Sequence, residues 1–167
     1  MVTPMLRVKG SGELRGEAFT ERFDPPNRRD WHIAAYQFSH PYFDNDWKRS
    51  NVRFSAGATL RLKPQKYQGN GFTGGSLRRT VTTHFGRYEP LMQSARGAGV
   101  VTGFFTYTGP YYGTRHDEID IEFLGKDTRK LHLSWWVDGV LNSHVVPMGF
   151  DAADGPTLYA FEWHPDR

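Results

Sequence analysis

Short runs of aromatic and β-branched residues alternate with turn-forming residues along most of the chain. The clearest turn signals are Asp24-Pro25-Pro26-Asn27, Asn70-Gly71, Gly109-Pro110 and Asp138-Gly139, combinations that favour tight turns. Alternating apolar and polar positions predict strands at residues 100–108, 118–124 and 131–137, and two strands around a glycine turn within 51–62. Because no comparable segment has a helical period, the pattern predicts an all-β chain folded as an antiparallel sandwich.

Segment 117–125, with the sequence DEIDIEFLG, places acidic residues at alternate positions. Side chains of a strand alternate between its two faces. One face therefore carries the apolar, core-forming residues Ile119, Ile121 and Phe123, and the other carries His116, Glu118, Asp120 and Glu122. Acidic residues are unfavourable in strands, and like charges on one face repel each other. Local stability therefore gives no reason for this acidic row (Glu118, Asp120 and Glu122), and the row indicates a function.

Three interpretations of the acidic row are open from the residues alone. The first is a solvated outer face of an amphipathic strand, although such faces usually mix Thr, Lys and Glu. The second is a site for a hard cation, although the ligands of such sites normally come from a loop that wraps the ion. The third is hydrolysis of a glycosidic bond, which requires one ionised carboxylate and one carboxylic acid.

In the third interpretation, Glu118 and Glu122 supply the pair of carboxyl groups. On a flat strand their Cα atoms are about 13 Å apart, whereas a retaining mechanism needs carboxyl groups about 5 to 5.5 Å apart. The sequence thus predicts a curved sheet whose concave face tilts both side chains into a cleft. Asp120 lies between them and can share a proton or hydrogen bond with a neighbour, which separates the pKa values of the two glutamates.

The stretch from Phe104 to Thr128, FFTYTGPYYGTRHDEIDIEFLGKDT, resembles the catalytic segment of glycoside hydrolase family 16, and most closely that of the bacterial lichenase-type endo-β-glucanases. This resemblance implies a concanavalin-like β-jelly-roll sandwich with a polysaccharide cleft on its concave sheet. It implies Glu118 as nucleophile, Glu122 as general acid/base and Asp120 as assisting carboxylate. An extra residue before the last glutamate forms a bulge in typical laminarinases. Its absence here indicates the regular-strand branch that includes the lichenases.

Flat aromatic side chains and small polar groups flank the acidic row, as a sugar-binding cleft requires. The period of two places Phe105 and Tyr107 on one face, and these positions match cleft residues of the lichenase-type enzymes, with core packing as the alternative. On the strand 131–137, the same period assigns His132, Ser134 and Trp136 to the cleft and Leu131, Leu133 and Trp135 to the core. Tyr111 and Tyr112 either form the rim of the cleft or close the turn.

Several positions depart from the lichenase pattern. The lichenases have Trp at the position of His116, Asn and Tyr at those of Ser134 and Trp136, and Glu at that of Ser76, while Arg78 matches their binding arginine. His116 and Arg78 suit an acidic or substituted exopolysaccharide, the substrate of succinoglycan-type glycanases of this family, at least as well as a β-1,3-1,4-glucan. The predicted substrate-binding residues are Arg78, Phe105, Tyr107, His116, Ser134 and Trp136.

Composition narrows the possible classes of protein. The 167 residues include 21 basic and 18 acidic side chains, a net charge of +3, and the basic residues are too dispersed to form a nucleic-acid-binding stripe. The mean hydropathy of −0.63 argues against a membrane-spanning protein. Without cysteine, disulfides and a thiol nucleophile are excluded. We expect a polysaccharide substrate, no nucleic-acid or membrane partner, no catalytic cofactor and no metal in the site; the oligomeric state is left open.

The expected domain organisation is a basic, poorly ordered arm at residues 1–18 followed by one family 16 domain at 19–167. Residues 159–165 resemble a mid-domain strand of the family, so we expect the C-terminal strands to be missing, together with a ligand for the structural calcium of a full-length form. Family resemblance implies secretion, and residues 1–16 show no signal peptide. The alternative to an enzyme is an inactive or carbohydrate-binding sandwich of the same family.

Overall fold

The computed structural model describes residues 6–9, 18–66 and 69–165, with only the backbone described for 6–9. Within these ranges the secondary structure consists of β-strands and two 3₁₀ helices, Arg49–Asn51 and Pro110–Tyr112. The strands are β1 Leu6–Lys9, β2 Phe19–Glu21, β3 Trp31–Ile33, β4 Asn45–Trp47, β5 Val52–Phe54, β6 Ala58–Leu60, β7 Lys63–Pro64, β8 Phe72–Gly74, β9 Leu77–Arg79, β10 Gly86–Met92, β11 Val101–Thr108, β12 Asp117–Leu124, β13 Lys130–Val137, β14 Val140–Pro147, β15 Thr157–Leu158 and β16 Phe161–Trp163. The predicted all-β class is confirmed. Neither helix in this part of the chain has the length and apolar character needed to span a bilayer.

The chain divides into two compact units, of which the first comprises Met1–Leu91 and Leu158–Arg167. Its largest sheet has the order β15-β10-β1-β2, with β16 also paired to β10, and smaller groups are formed by β3-β9, β4-β8-β7 and β5-β6. Phe23 packs edge-on against Trp31 with ring centroids 4.9 Å apart and stacks on Phe54 at 5.9 Å. Tyr88 stacks on Phe161 at 5.0 Å. Packed aromatic rings therefore form much of the interior of this unit.

The second unit, Met92–Thr157, contains one antiparallel sheet of the order β11-β12-β13-β14. Its pairing is regular, and β12 faces β13 without interruption from Glu118 to Glu122. The absence of a bulge between these two glutamates agrees with the predicted regular strand. Asp138 and Gly139 join β13 to β14 with φ angles of 51° and 80°, the left-handed conformation of a two-residue hairpin turn that Asp-Gly sequences favour.

Burial on the apolar side of this sheet is uneven. Ile121 and Phe123 are 1% and 0% exposed, which confirms their prediction as core residues. Leu131 and Leu133 are half-buried. Trp135 lies opposite Ile119 on this same face, as predicted, but it is 40% exposed and so is not part of the buried core. It lies opposite Asn142 of the edge strand β14, where most residues are exposed. The period of two indicates the face of a residue but not its depth.

The predicted strands 100–108, 118–124 and 131–137 correspond to β11, β12 and β13 within one residue at each end. Segment 51–62 contains β5 and β6, joined by a turn in which Gly57 has a φ of 128°. The predicted N-terminal arm, 1–18, lies largely outside the described residues. Within it, Leu6–Lys9 forms β1, which pairs with both β2 and β10.

Candidate active site

The acidic row of β12 lies in the middle of one face of the four-stranded sheet. Across the strands, Glu118 lies between Tyr107 and Trp136, Asp120 lies between Phe105 and Ser134, and Glu122 lies between Gly103 and His132. Directly opposed residues of antiparallel strands share a face. The structure therefore brings four of the predicted binding residues, Phe105, Tyr107, Ser134 and Trp136, onto the face of the acidic row.

Asp120 is buried at the centre of this face, with 7% of its surface exposed. Burial raises the pKa of Asp120 to about 8, and the negative charges of Glu118 and Glu122 and a hydrogen bond with Glu118 act in the same direction. The carboxyl group of Asp120 is therefore protonated at neutral pH. In that state it donates its hydrogen bond to Glu118.

Glu122 is the second carboxyl group of the row with a raised pKa, caused first by burial and then by the charge of Glu118. This favours the neutral form, which can donate a proton. Glu122 faces Gly103 on β11, where an added Cβ atom would lie 3.7 Å from the Cγ and Oε1 atoms of Glu122. Because Gly103 has no side chain, it leaves Glu122 uncovered from that side. The sequence did not lead us to predict Gly103 as a residue of the site. The signal that could have identified it is the pairing of β11 with β12, which places Gly103 opposite Glu122.

His116 lies immediately before β12 and contacts the first carboxyl group of the row. Its Nε2 atom is 2.6 Å from Oε2 of Glu118. The imidazole ring stacks on Trp136, with centroids 4.5 Å apart and planes inclined by 23°, and its centroid is 5.4 Å from that of Tyr107. The sequence predicted His116 as a substrate-binding residue, and its proximity to Glu118 was not foreseen.

Aromatic side chains on this face remain accessible. Phe105 is 55% exposed, so the core-packing alternative does not apply to it, and Tyr107 is 43% exposed. Tyr112, from the 3₁₀ helix Pro110–Tyr112, packs edge-on against Tyr107 with centroids 6.1 Å apart. Tyr111 points outward and is 83% exposed. These rings offer flat apolar surfaces of the kind that bind the faces of sugar rings.

Together, the three carboxyl groups provide complementary chemical functions on one open face. The raised pKa of Glu122 favours its protonated form, which can donate a proton to a bound molecule. Glu118 accepts a hydrogen bond from Asp120 and lies in hydrogen-bonding distance of His116. Such a pair can protonate one atom of a bound molecule while a carboxylate approaches the neighbouring atom.

Arg78 is the predicted binding residue that lies in the other unit. It belongs to β9, where it faces His32 of β3, and its role in binding stays a prediction. Throughout the described ranges, no group of three or more His, Cys, Asp or Glu side chains is arranged to hold a metal ion. The calcium prediction is not tested by this finding.

Known proteins resemble the chain in both sequence and structure. The model of the glycosyl hydrolases family 16 matches residues 39–167. A β-glucanase of Paenibacillus macerans is 40% identical over 153 residues, which cover 91% of this chain and 65% of that protein. The chain therefore matches slightly less than two thirds of the length of this relative.

Two solved structures have a similar backbone. The β-glucanase of Bacillus licheniformis superposes with a TM-score of 0.84 at 39% identity, covering 90% of this chain and 71% of that one. A prokaryotic β-1,3-1,4-glucanase (lichenase) from a mouse hindgut metagenome superposes with a TM-score of 0.82 at 33% identity, covering 86% and 68%. These matches confirm the predicted β-jelly-roll class.

Proposed function

The chain belongs to glycosyl hydrolase family 16, and we propose that it is a retaining endo-β-glycanase that hydrolyses a β-linked polysaccharide. Glu118 is the nucleophile and Glu122 is the general acid/base. The observation that carries this proposal is the arrangement of β12, where Glu122 favours its protonated form and Glu118 accepts a hydrogen bond from protonated Asp120. Retaining hydrolysis needs such a pair of unlike carboxyl groups.

In the first step, Glu122 donates its proton to the glycosidic oxygen while the carboxylate of Glu118 attacks the anomeric carbon. The bond between that carbon and the leaving oxygen breaks, and an ester between the sugar and Glu118 forms. Asp120 donates a hydrogen bond to Glu118, and it therefore places a donor beside the nucleophile.

In the second step, Glu122, now ionised, removes a proton from water as the water oxygen attacks the anomeric carbon. The ester bond to Glu118 breaks and its carboxylate is released. Two successive inversions at the same carbon give a product with the original configuration. Neither step requires a cofactor.

A β-glucan is the substrate best supported by the names of the relatives, β-glucanases and a β-1,3-1,4-glucanase. Phe105 and Tyr107 would stack on its glucose units. A bacterial exopolysaccharide is the second candidate, favoured by His116, Ser134 and Trp136, which depart from the lichenase pattern at three positions of this face. Either polymer lies outside the cell, so the protein would act there as a secreted enzyme.

The test is replacement of the nucleophile. Glu118→Gln should abolish hydrolysis of barley β-1,3-1,4-glucan, or of an acidic exopolysaccharide if that is the polymer cut by the wild type, because no ester can form. Release of reducing ends measures hydrolysis, and an early fall in viscosity distinguishes endo from exo cleavage. Asp154→Asn, which alters an exposed carboxylate of the same unit, is the control and should remain active. Unchanged hydrolysis by Glu118→Gln would overturn the assignment.

A further inference from the structure

His116 is held by side chains from both strands that flank the acidic row. Trp136 of β13 stacks on its ring at 4.5 Å, and Tyr107 of β11 approaches it at 5.4 Å. Trp136 and Tyr107 are also the two residues that lie opposite Glu118 in the sheet register. The imidazole therefore occupies a defined position beside Glu118, and 26% of its side-chain surface is exposed.

Several ionisable groups surround His116 and Glu118. Glu118 and Asp120 belong to β12, Tyr107 comes from β11, and Tyr112 packs on Tyr107 from the 3₁₀ helix Pro110–Tyr112. β13 contributes the uncharged Trp136. The adjacent Arg115 forms an ion pair with Asp138 at 2.7 Å. Among these groups, Glu118 is the carboxylate that lies within hydrogen-bonding distance of Nε2 of His116, at 2.6 Å.

We propose that His116 is a positioning residue for the nucleophile, whose Nε2–H group donates to Oε2 of Glu118 and so orients the carboxylate that attacks the anomeric carbon. This inference rests on the proposed function, since it requires Glu118 to be ionised and to attack. An ionised carboxylate can only accept, so the proton of this hydrogen bond lies on Nε2. With Oε2 held by His116, the carboxylate has a fixed orientation before substrate arrives.

This role differs in its kinetic signature from substrate binding. A residue that orients the nucleophile affects the chemical step, so its loss lowers kcat and leaves KM nearly unchanged. A residue that only binds the polymer raises KM instead.

The test compares three variants on the polymer that the wild type hydrolyses. His116→Phe keeps an aromatic ring for stacking but has no donor, and it should lower kcat about 10- to 100-fold, the range expected for loss of a hydrogen bond to a charged group. His116→Gln retains an amide donor and should recover part of this loss. His144→Phe makes the same substitution on the opposite face of the sheet, where His144 lies opposite Leu133, and it should leave kcat and KM unchanged.

Two outcomes would overturn the inference while Glu118→Gln stays inactive and the proposed function stands. One is a wild-type kcat in a folded His116→Phe variant; the other is a large rise in KM at constant kcat, which would make His116 a substrate-binding residue. Thermal melting establishes that each variant is folded. If His116→Phe does not fold, His116→Gln decides the question, because a large rise in KM at wild-type kcat in that variant would contradict the role. Activity in Glu118→Gln would instead remove the proposed function itself.

Discussion

Two aspartates of the same unit, Asp120 and Asp151, have opposite surroundings. Asp120 is buried between two glutamates, and its pKa is raised to about 8. Asp151 accepts hydrogen bonds from the Thr128 hydroxyl and from the amide of Ala153 at 2.9 Å, and it pairs with Arg96 at 2.9 Å. These donors, with the Thr128 bond as the largest cause, lower the pKa of Asp151 to about 2.

The comparison distinguishes a carboxyl group that stabilises the fold, that of Asp151, from one that lies in the candidate active site, that of Asp120. A carboxylate surrounded by donors and a cation is more favourable in the folded chain than in water. Ionised carboxyl groups that lie close to other carboxyl groups and away from water destabilise the folded chain, and such groups are concentrated at catalytic sites. At pH values where these carboxyl groups would be ionised in the unfolded chain, the acidic row therefore destabilises the folded chain. We interpret this loss of stability as a consequence of the function of the row.

The largest effect that distinguishes the two aspartates is expected for Asp120→Asn. This variant should lower kcat/KM about 10- to 100-fold, less than Glu118→Gln, and should shift the pH–rate profile because it removes a titrating group from the acidic row. It should also raise the melting temperature. Because the folded pKa of Asp120 lies above its unfolded value, wild-type stability falls as the pH rises from about 4 to about 8. An asparagine has no proton to lose, so the gain should be larger at pH 8 than at pH 4.

Thermal melting at pH 4 and pH 8, with kcat/KM measured across the same range, checks this prediction. Asp154→Asn is a suitable control, because its side chain is 72% exposed. An equal change in melting temperature at both pH values would mean that Asp120 is not protonated in the folded state. An unmoved profile with full activity would leave Asp120 without a catalytic role.

A smaller effect of opposite sign is expected for Asp151→Asn. The folded pKa of Asp151 lies below its unfolded value, so its stabilisation is present above about pH 4 and is lost as the pH falls toward 2. The variant should therefore melt a few degrees below the wild type at pH 7, and the difference should shrink at pH 2. Activity at low temperature should be unchanged. A melting temperature equal to that of the wild type at pH 7 would show that the Arg96 and Thr128 contacts do not stabilise this unit.

The parts of the fold that the sequence predicted correctly are those encoded by local alternation. The strict period of two over residues 117–124 gave both faces of β12, and the Asp138-Gly139 turn gave the hairpin of β13 and β14. The depth of Trp135 could not be predicted, because it depends on the edge position of β14 rather than on residues near Trp135.

The interactions of the site were less predictable than its residues. The acidic row was found from its pattern, whereas the contact between His116 and Glu118 depends on rings contributed by β11 and β13. Likewise, the contacts of Asp151 join positions 96, 128 and 151, which no local pattern connects. Side-chain pairs of large sequence separation are set by topology, and a single sequence contains no periodic signal for them.

Formation of a covalent bond between Glu118 and the sugar is best examined by chemical rescue. Glu118→Ala should be inactive on an activated aryl β-glycoside, and added azide should restore turnover, because the anion enters the space left by the carboxylate. Because a single displacement by azide replaces the two displacements of the wild type, we expect a glycosyl azide of inverted, α configuration, identified by NMR of the product. A β-configured azide, or wild-type activity in Glu118→Ala without azide, would contradict the assignment of Glu118 as the nucleophile.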